Sequence, residues 1–237
     1  MRITTYSDMD ITVLAQTPNP QAMVLTGMQT CMKQNIVTLD SKASKSQIEY
    51  LLKSEHMSPL EHAGMTIYAR GISRSLLAQI TRQRTFKFTS SSQHYQDYSE
   101  YPLVVHNSML NFEGPLSALN KRAIHHMESG VALYSELLEA GMNKEDARQI
   151  LPNASGVNLM ITADARNMTY FFRQRRCERN VEEMITFADT WWKLACEWFP
   201  ELFSLVGAPC YMDSTGACNQ GRMQHPGCKV SIEPTEW

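Results

Sequence analysis

Apolar positions along the chain change period several times, and each change marks a predicted element. Residues 3–7 suggest a short opening strand. Asn19-Pro20 starts a helix running to about Lys33, and residues 41–55 form a second, with Ile48, Leu51 and Leu52 on its apolar side. Met65, Ile67 and Ala69 then alternate with Thr66, Tyr68 and Arg70, the period of a half-buried strand. After Gly71 the period lengthens to about 3.6. Leu76, Leu77 and Ile80 make the stripe of a short helix carrying Gln79 and ending in Arg82 and Arg84, with a polar loop after it.

Downstream, Pro115 opens and Gly141 follows a long helix over 115–139, the usual punctuation of helix ends. A short helix over 144–150, an apolar strand over 157–162 and helices from Asp164 and Val181 complete the pattern. The architecture is α+β. Residues 207–237, rich in glycine and proline and without periodicity, suggest an extended tail appended to a domain over 1–206.

With 237 residues and 43% hydrophobic content, the chain can bury one substantial core. It holds no run of about 18 apolar residues to span a bilayer, and its start, Met1-Arg2-Ile3-Thr4-Thr5, lacks the apolar core of a signal peptide. A cytoplasmic location is expected. In that compartment the six cysteines read as free thiols. Cys210, Cys218, His225 and Cys228 could form a structural zinc site, but their spacing lacks the paired Cys-x2-Cys knuckle, so no metal is assigned.

Charge changes the picture. The net charge is −2, yet Arg70, Arg74, Arg82, Arg84 and Lys87 fall in a stretch from His62 to Gln96 that has no carboxylate. Arg166, Arg173, Arg175, Arg176 and Arg179 fall between Ala165 and Asn180 against the single Glu178. Gathered cations on a slightly acidic chain suggest a local anion site rather than a nucleic-acid coat. Within fourteen residues, Arg82 to Tyr95 combine guanidinium groups, hydroxyls and the rings of Phe86, Phe88 and Tyr95. Guanidinium forks match phosphate oxygens and flat rings match heterocycles, which suggests nucleotide recognition. In the second window Asp164, Met168, Phe171 and Arg175 share one helix face, and Arg166, Tyr170 and Arg173 lie on another.

These residues carry a family resemblance. Arg82-Gln83-Arg84, seven residues and then Ser92 resemble the Arg-His-Arg-x7-Ser signature of flavin-dependent thymidylate synthases. His56-Met57-Ser58-Pro59-Leu60-Glu61-His62 is similar to the family's His-Glu-Ser/Thr-Pro-Phe-Glu-His segment, and Ala147-Arg148-Gln149-Ile150-Leu151-Pro152 to its Ala-Arg-x-x-Leu-Pro. Asp164-Ala165-Arg166-Asn167-Met168, with Phe171 and Arg175, resembles its Asn-Ala-Arg-Ser-Leu helix. The similarity runs in register from about Ile48 to Phe203.

The resemblance implies an α+β fold with a mixed sheet and flanking helices, assembled as a homotetramer with active sites between subunits. It implies FAD as cofactor and conversion of dUMP to dTMP, with methylene-tetrahydrofolate as carbon donor and NADPH as electron source. By the same analogy His56, Ser58, Arg82, Arg84 and Arg166 contact FAD. Gln79, Ser90, Ser91, Ser92, His94, Arg148 and Arg175 hold the nucleotide, with Arg175 in the catalytic role.

The chain departs from the family pattern at Gln83 (a histidine there), Ser90 (a glutamate), His94 (an arginine), Asp164 and Tyr170 (asparagines). UMP or a cytosine nucleotide as substrate, and hydroxymethylation as the reaction, therefore stand as alternatives. So does a non-catalytic nucleotide- or RNA-binding module.

Overall fold

The computed structural model describes residues 2–31 and 45–212. In chain order the strands are β1 (Ile3–Thr5), β2 (Asp10–Gln16), β3 (Gly64–Ser73), β4 (Lys87–Ser90), β5 (Leu103–Val105) and β6 (Gly156–Asp164). The helices are α1 (Pro20–Cys31), α2 (Lys45–Lys53), α3 (Arg74–Ile80), α4 (Ser117–Glu139), α5 (Lys144–Ala147), α6 (Ala165–Arg175), α7 (Glu182–Trp198), α8 (Pro200–Phe203) and α9 (Pro209–Met212). β1 pairs in parallel with β5, Ile3 opposite Leu103. The other four strands form a sheet in the order β2-β3-β6-β4. Helix and strand mix as the sequence predicts.

Several boundaries differ from expectation. α3 ends at Ile80, where the Thr81 hydroxyl donates to the Leu77 carbonyl at 2.8 Å and the Gln83 amide to the Ile80 carbonyl at 2.9 Å. This tightened end puts Arg82 and Arg84 in the turn beyond the helix. The segment read as a polar loop contains the edge strand β4, and β2, mostly exposed, forms the other edge. Of the expected tail, residues 213–237 lie outside the described part, as do Cys218, His225 and Cys228, whereas α9 lies within it.

The described residues form two compact units. The first comprises 2–12, 68–84 and 88–161. In it Ser73 caps α3, its hydroxyl accepting the Leu76 amide at 3.0 Å, which sets the direction in which Gln79 leaves the helix. α4 buries Ile124, Val131 and Tyr134 along one side. At Gly130 a Cβ would stand 3.1 Å from the Ile150 carbonyl. The missing side chain lets the 3-10 turn Arg148–Ile150 close on α4.

The second unit comprises 13–31, 45–67, 85–87 and 162–212. Its core is aromatic. The Trp191 ring lies 5.5 Å from Phe86, 5.5 Å from Phe171 and 5.6 Å from Phe172, and its Nε1 donates to Met65 Sδ at 3.4 Å. Such edge-on and tilted pairs contribute about 0.5–1.5 kcal/mol each beyond their area burial. α7 feeds this core with Met184, Phe187, Ala188, Trp191 and Ala195, all buried at helical spacing. A Cβ at Gly27 of α1 would stand 3.1 Å from Pro59 Cβ. Glycine there seats the 3-10 turn Ser58–His62 against α1.

Candidate active site

In the second unit, apolar anchors present polar groups. Met57, Pro59 and Leu60 are buried, and the same short turn leaves His56, Ser58, Glu61 and His62 exposed. Glu61 forms an ion pair with Arg166, the second residue of α6. The Arg166 guanidinium also lies 5.9 Å from the Tyr170 ring centroid. Hydrogen bonds to Glu61 and then Tyr170 push the Arg166 pKa upward, so this cation stays charged.

α6 starts at Asp164, whose carboxylate accepts the Asn167 amide at 2.8 Å and so caps the helix. The expected division of its faces holds. Met168 and Phe171 are fully buried, while Arg166, Tyr170 and Arg173 are half-buried on another side. Arg175, the last helical residue, extends the apolar face with a half-buried side chain. Its Nη1 donates to Asn180 Oδ1 at 3.2 Å. Its Nε is buried and finds no partner among the described residues. An unpaired buried donor on a cation is costly, which marks this position as one where the chain holds a charge at some expense. Nearby, a cavity of about 520 Å³ is lined by Tyr170, Arg173, Arg179 and Asn180 among others.

In the first unit, half-buried Gln79 lies on α3 and exposed Arg82 and Arg84 on the turn after it. Neither arginine has an ion-pair partner among the described residues. Ser90 is exposed at the end of β4. Ser91 is committed to structure: its amide donates to the Asn158 carbonyl at 3.0 Å and its hydroxyl accepts the Asn158 amide at 3.1 Å. Tyr98 also donates to the Ser91 carbonyl at 3.1 Å, and burial pushes that phenol's pKa up. Ser92 holds a turn through its hydroxyl, which accepts the His94 amide at 3.2 Å, over the buried Gln93.

Motifs distant in sequence meet at Glu145. Its carboxylate lies 2.7 Å from His94 Nδ1, and its backbone carbonyl accepts from Arg148 Nε at 3.1 Å. Lys144 Nζ donates to the Tyr95 carbonyl at 3.0 Å, a second tie between α5 and the same turn. With its Nδ1–H given to Glu145, the His94 ring holds a lone pair at Nε2 when neutral and a donor N–H there only as imidazolium. The structure thus gathers Ser92, His94 and Arg148 within the first unit, and His56, Ser58, Arg166 and Arg175 belong to the second.

Three partners were not singled out in the sequence: Glu61, Glu145 and Asn180. Glu61 lies inside the 56–62 motif and Glu145 one helical turn before Arg148, so both had a positional signal. Asn180 had none. Among the described residues no group of three or more His, Cys, Asp or Glu side chains is arranged to hold a metal ion. No described helix is long and apolar enough to cross a membrane.

Comparison with known proteins matches residues 12–201 to the family model described as thymidylate synthase complementing protein. A flavin-dependent thymidylate synthase of Geobacter sulfurreducens is 32% identical over 225 residues, covering 91% of this chain and 93% of the relative. One from Nitratidesulfovibrio vulgaris is 29% identical over 229 residues, 89% of this chain and 91% of the relative. One from Pyrococcus abyssi is 31% identical over 196 residues, 78% of this chain and 76% of the relative. With the 56–62 turn, the Arg82 to Ser92 segment, Arg148 and the Arg166 to Arg175 helix all present in order, the chain belongs to the flavin-dependent thymidylate synthase family.

Proposed function

We propose that this protein converts dUMP to dTMP, with FAD as its cofactor and methylene-tetrahydrofolate and NADPH as co-substrates, in the cytoplasm and as a homotetramer. Family membership supports the reaction. The single observation that carries it to particular residues is the state of Arg175, a cation ending an apolar helix face with its buried Nε unpartnered among the described residues.

The donor set fits a flavin dinucleotide. Arg82 and Arg84, two exposed guanidinium groups without ion-pair partners among the described residues, are suited to a diphosphate. Arg166, held by Glu61, with His56 and Ser58 supplies further donors for the cofactor. When reduced, the bound flavin supplies the hydride that no side chain can provide.

The remaining residues bind and orient the nucleotide. Ser92, Ser90 and Arg148 donate to the phosphate, as does His94 Nε2 in the imidazolium form, since the Nδ1–H is given to the Glu145 carboxylate, and Gln79 hydrogen-bonds the nucleotide. Ser91 contributes by fixing the turn through Asn158. Arg175 meets a pyrimidine carbonyl and N3, stabilising the negative charge that builds on the ring as C5 becomes nucleophilic. A preorganised donor of this kind contributes about 2.7–4 kcal/mol to such a barrier. Arginine suits the task because it stays protonated and binds with a planar fork.

The test is product formation. FAD-loaded protein given dUMP, methylene-tetrahydrofolate and NADPH is expected to yield dTMP by chromatography. Bound flavin with no dTMP, or preferential turnover of UMP or dCMP, would contradict the assignment.

A further inference from the structure

We infer that Asn180 is a positioning residue that holds the Arg175 guanidinium in place for the pyrimidine, an assignment resting on the role given to Arg175 above. Asn180 lies beyond the end of α6, where the last carbonyls of a helix lack partners within the helix. Its Nδ2 donates to the Gln174 carbonyl at 2.7 Å and to the Cys177 carbonyl at 3.0 Å. Its backbone amide also donates to the Cys177 carbonyl, at 2.9 Å. The carboxamide is thereby clamped, and only one orientation satisfies its surroundings: nitrogen toward the two carbonyls and oxygen toward Arg175 Nη1 at 3.2 Å.

Two consequences follow from the chemistry of an amide in this place. A guanidinium on a long stem has many rotamers, and a fixed acceptor on one terminal nitrogen removes most of them before substrate arrives. The acceptor is also neutral. A carboxylate there would pair with Arg175 and compete with the ring oxygen for its charge, whereas the amide orients the cation and leaves its charge available. Asn180 engages Nη1 of the guanidinium, so it uses only part of the donor set. Asn180 itself touches no reacting atom in this scheme.

The full-length, FAD-loaded protein tests this through the Kd for dUMP, measured by calorimetry alongside flavin content. Asn180→Ala is expected to weaken dUMP binding about tenfold or more, the effect of losing a hydrogen bond to a charged group, with flavin content unchanged. Arg175→Ala is expected to weaken it at least as much, and the double variant no further than Arg175→Ala, because Asn180 acts through that arginine. Wild-type affinity in Asn180→Ala beside impaired Arg175→Ala would overturn the positioning role alone. So would a double variant in which the two losses multiply, or loss of flavin from Asn180→Ala. Wild-type affinity in Arg175→Ala would instead overturn the role of Arg175. Should Asn180→Ala not fold, Asn180→Asp retains the shape and is expected to weaken dUMP binding at least tenfold by pairing with Arg175; unchanged affinity would overturn the inference.

Discussion

Arg175 and Arg84 carry the same charged group into different surroundings, and their substitutions separate the two. Lysine in place of Arg175 keeps the charge but loses the planar fork and the geometry of the Asn180 contact. Arg175→Lys is expected to lower kcat by about a hundredfold or more while flavin stays bound; steady-state turnover near wild type would exclude the pyrimidine role. Arg84 is exposed, on the turn after α3. Arg84→Ala is expected to leave thermal stability unchanged and to weaken FAD binding about tenfold. Full flavin occupancy after gel filtration would refute its assignment. At His94, where the family pattern has arginine, the Glu145 carboxylate lies 2.7 Å from Nδ1 and orients the ring.

At the scale of elements, α6 determines where both arginine contacts begin. Asp164 stands where the family has asparagine, and it performs the capping task an asparagine would, with a negative charge that also complements the helix N-terminus. Asp164→Ala is expected to cost about 0.5–2 kcal/mol by denaturant titration, and an unchanged midpoint would contradict the capping role. This helix, α7 and β3 were legible in the sequence because each buries one clean face: Met168 and Phe171, Phe187 and Trp191, Met65 and Ile67. Edge strands were not. β4 and β2 bury little, and their strand character comes from the neighbour each pairs with rather than from their own pattern. The end of α3 was overrun for a related reason, since Thr81, Arg82 and Gln83 do not oppose a helix and only the hydrogen bonds to Leu77 and Ile80 stop it. The proposed site residues stand in the sequence as ordered motifs. The pairing of Glu61 with Arg166 was not legible there, although Glu61 lies within a motif, and Asn180 left no signal at all, because pairing across distant segments or around a helix end leaves no periodic trace.

For the whole molecule, twelve basic and 23 acidic residues remain outside the two cation windows, so a long polyanion meets repulsion while a small one finds local guanidinium groups. That balance favours a nucleotide and a dinucleotide cofactor over RNA. In this scheme flavin held by this chain supplies the reducing equivalents for methylating dUMP. A single-turnover experiment tests it most directly: the protein is reduced until its flavin absorbance bleaches, freed of excess reductant, and mixed without oxygen with dUMP and methylene-tetrahydrofolate. Flavin absorbance is expected to return in step with dTMP, in equal amounts. Flavin that stays bleached in the presence of both substrates, or that reoxidises without dTMP, would contradict the account.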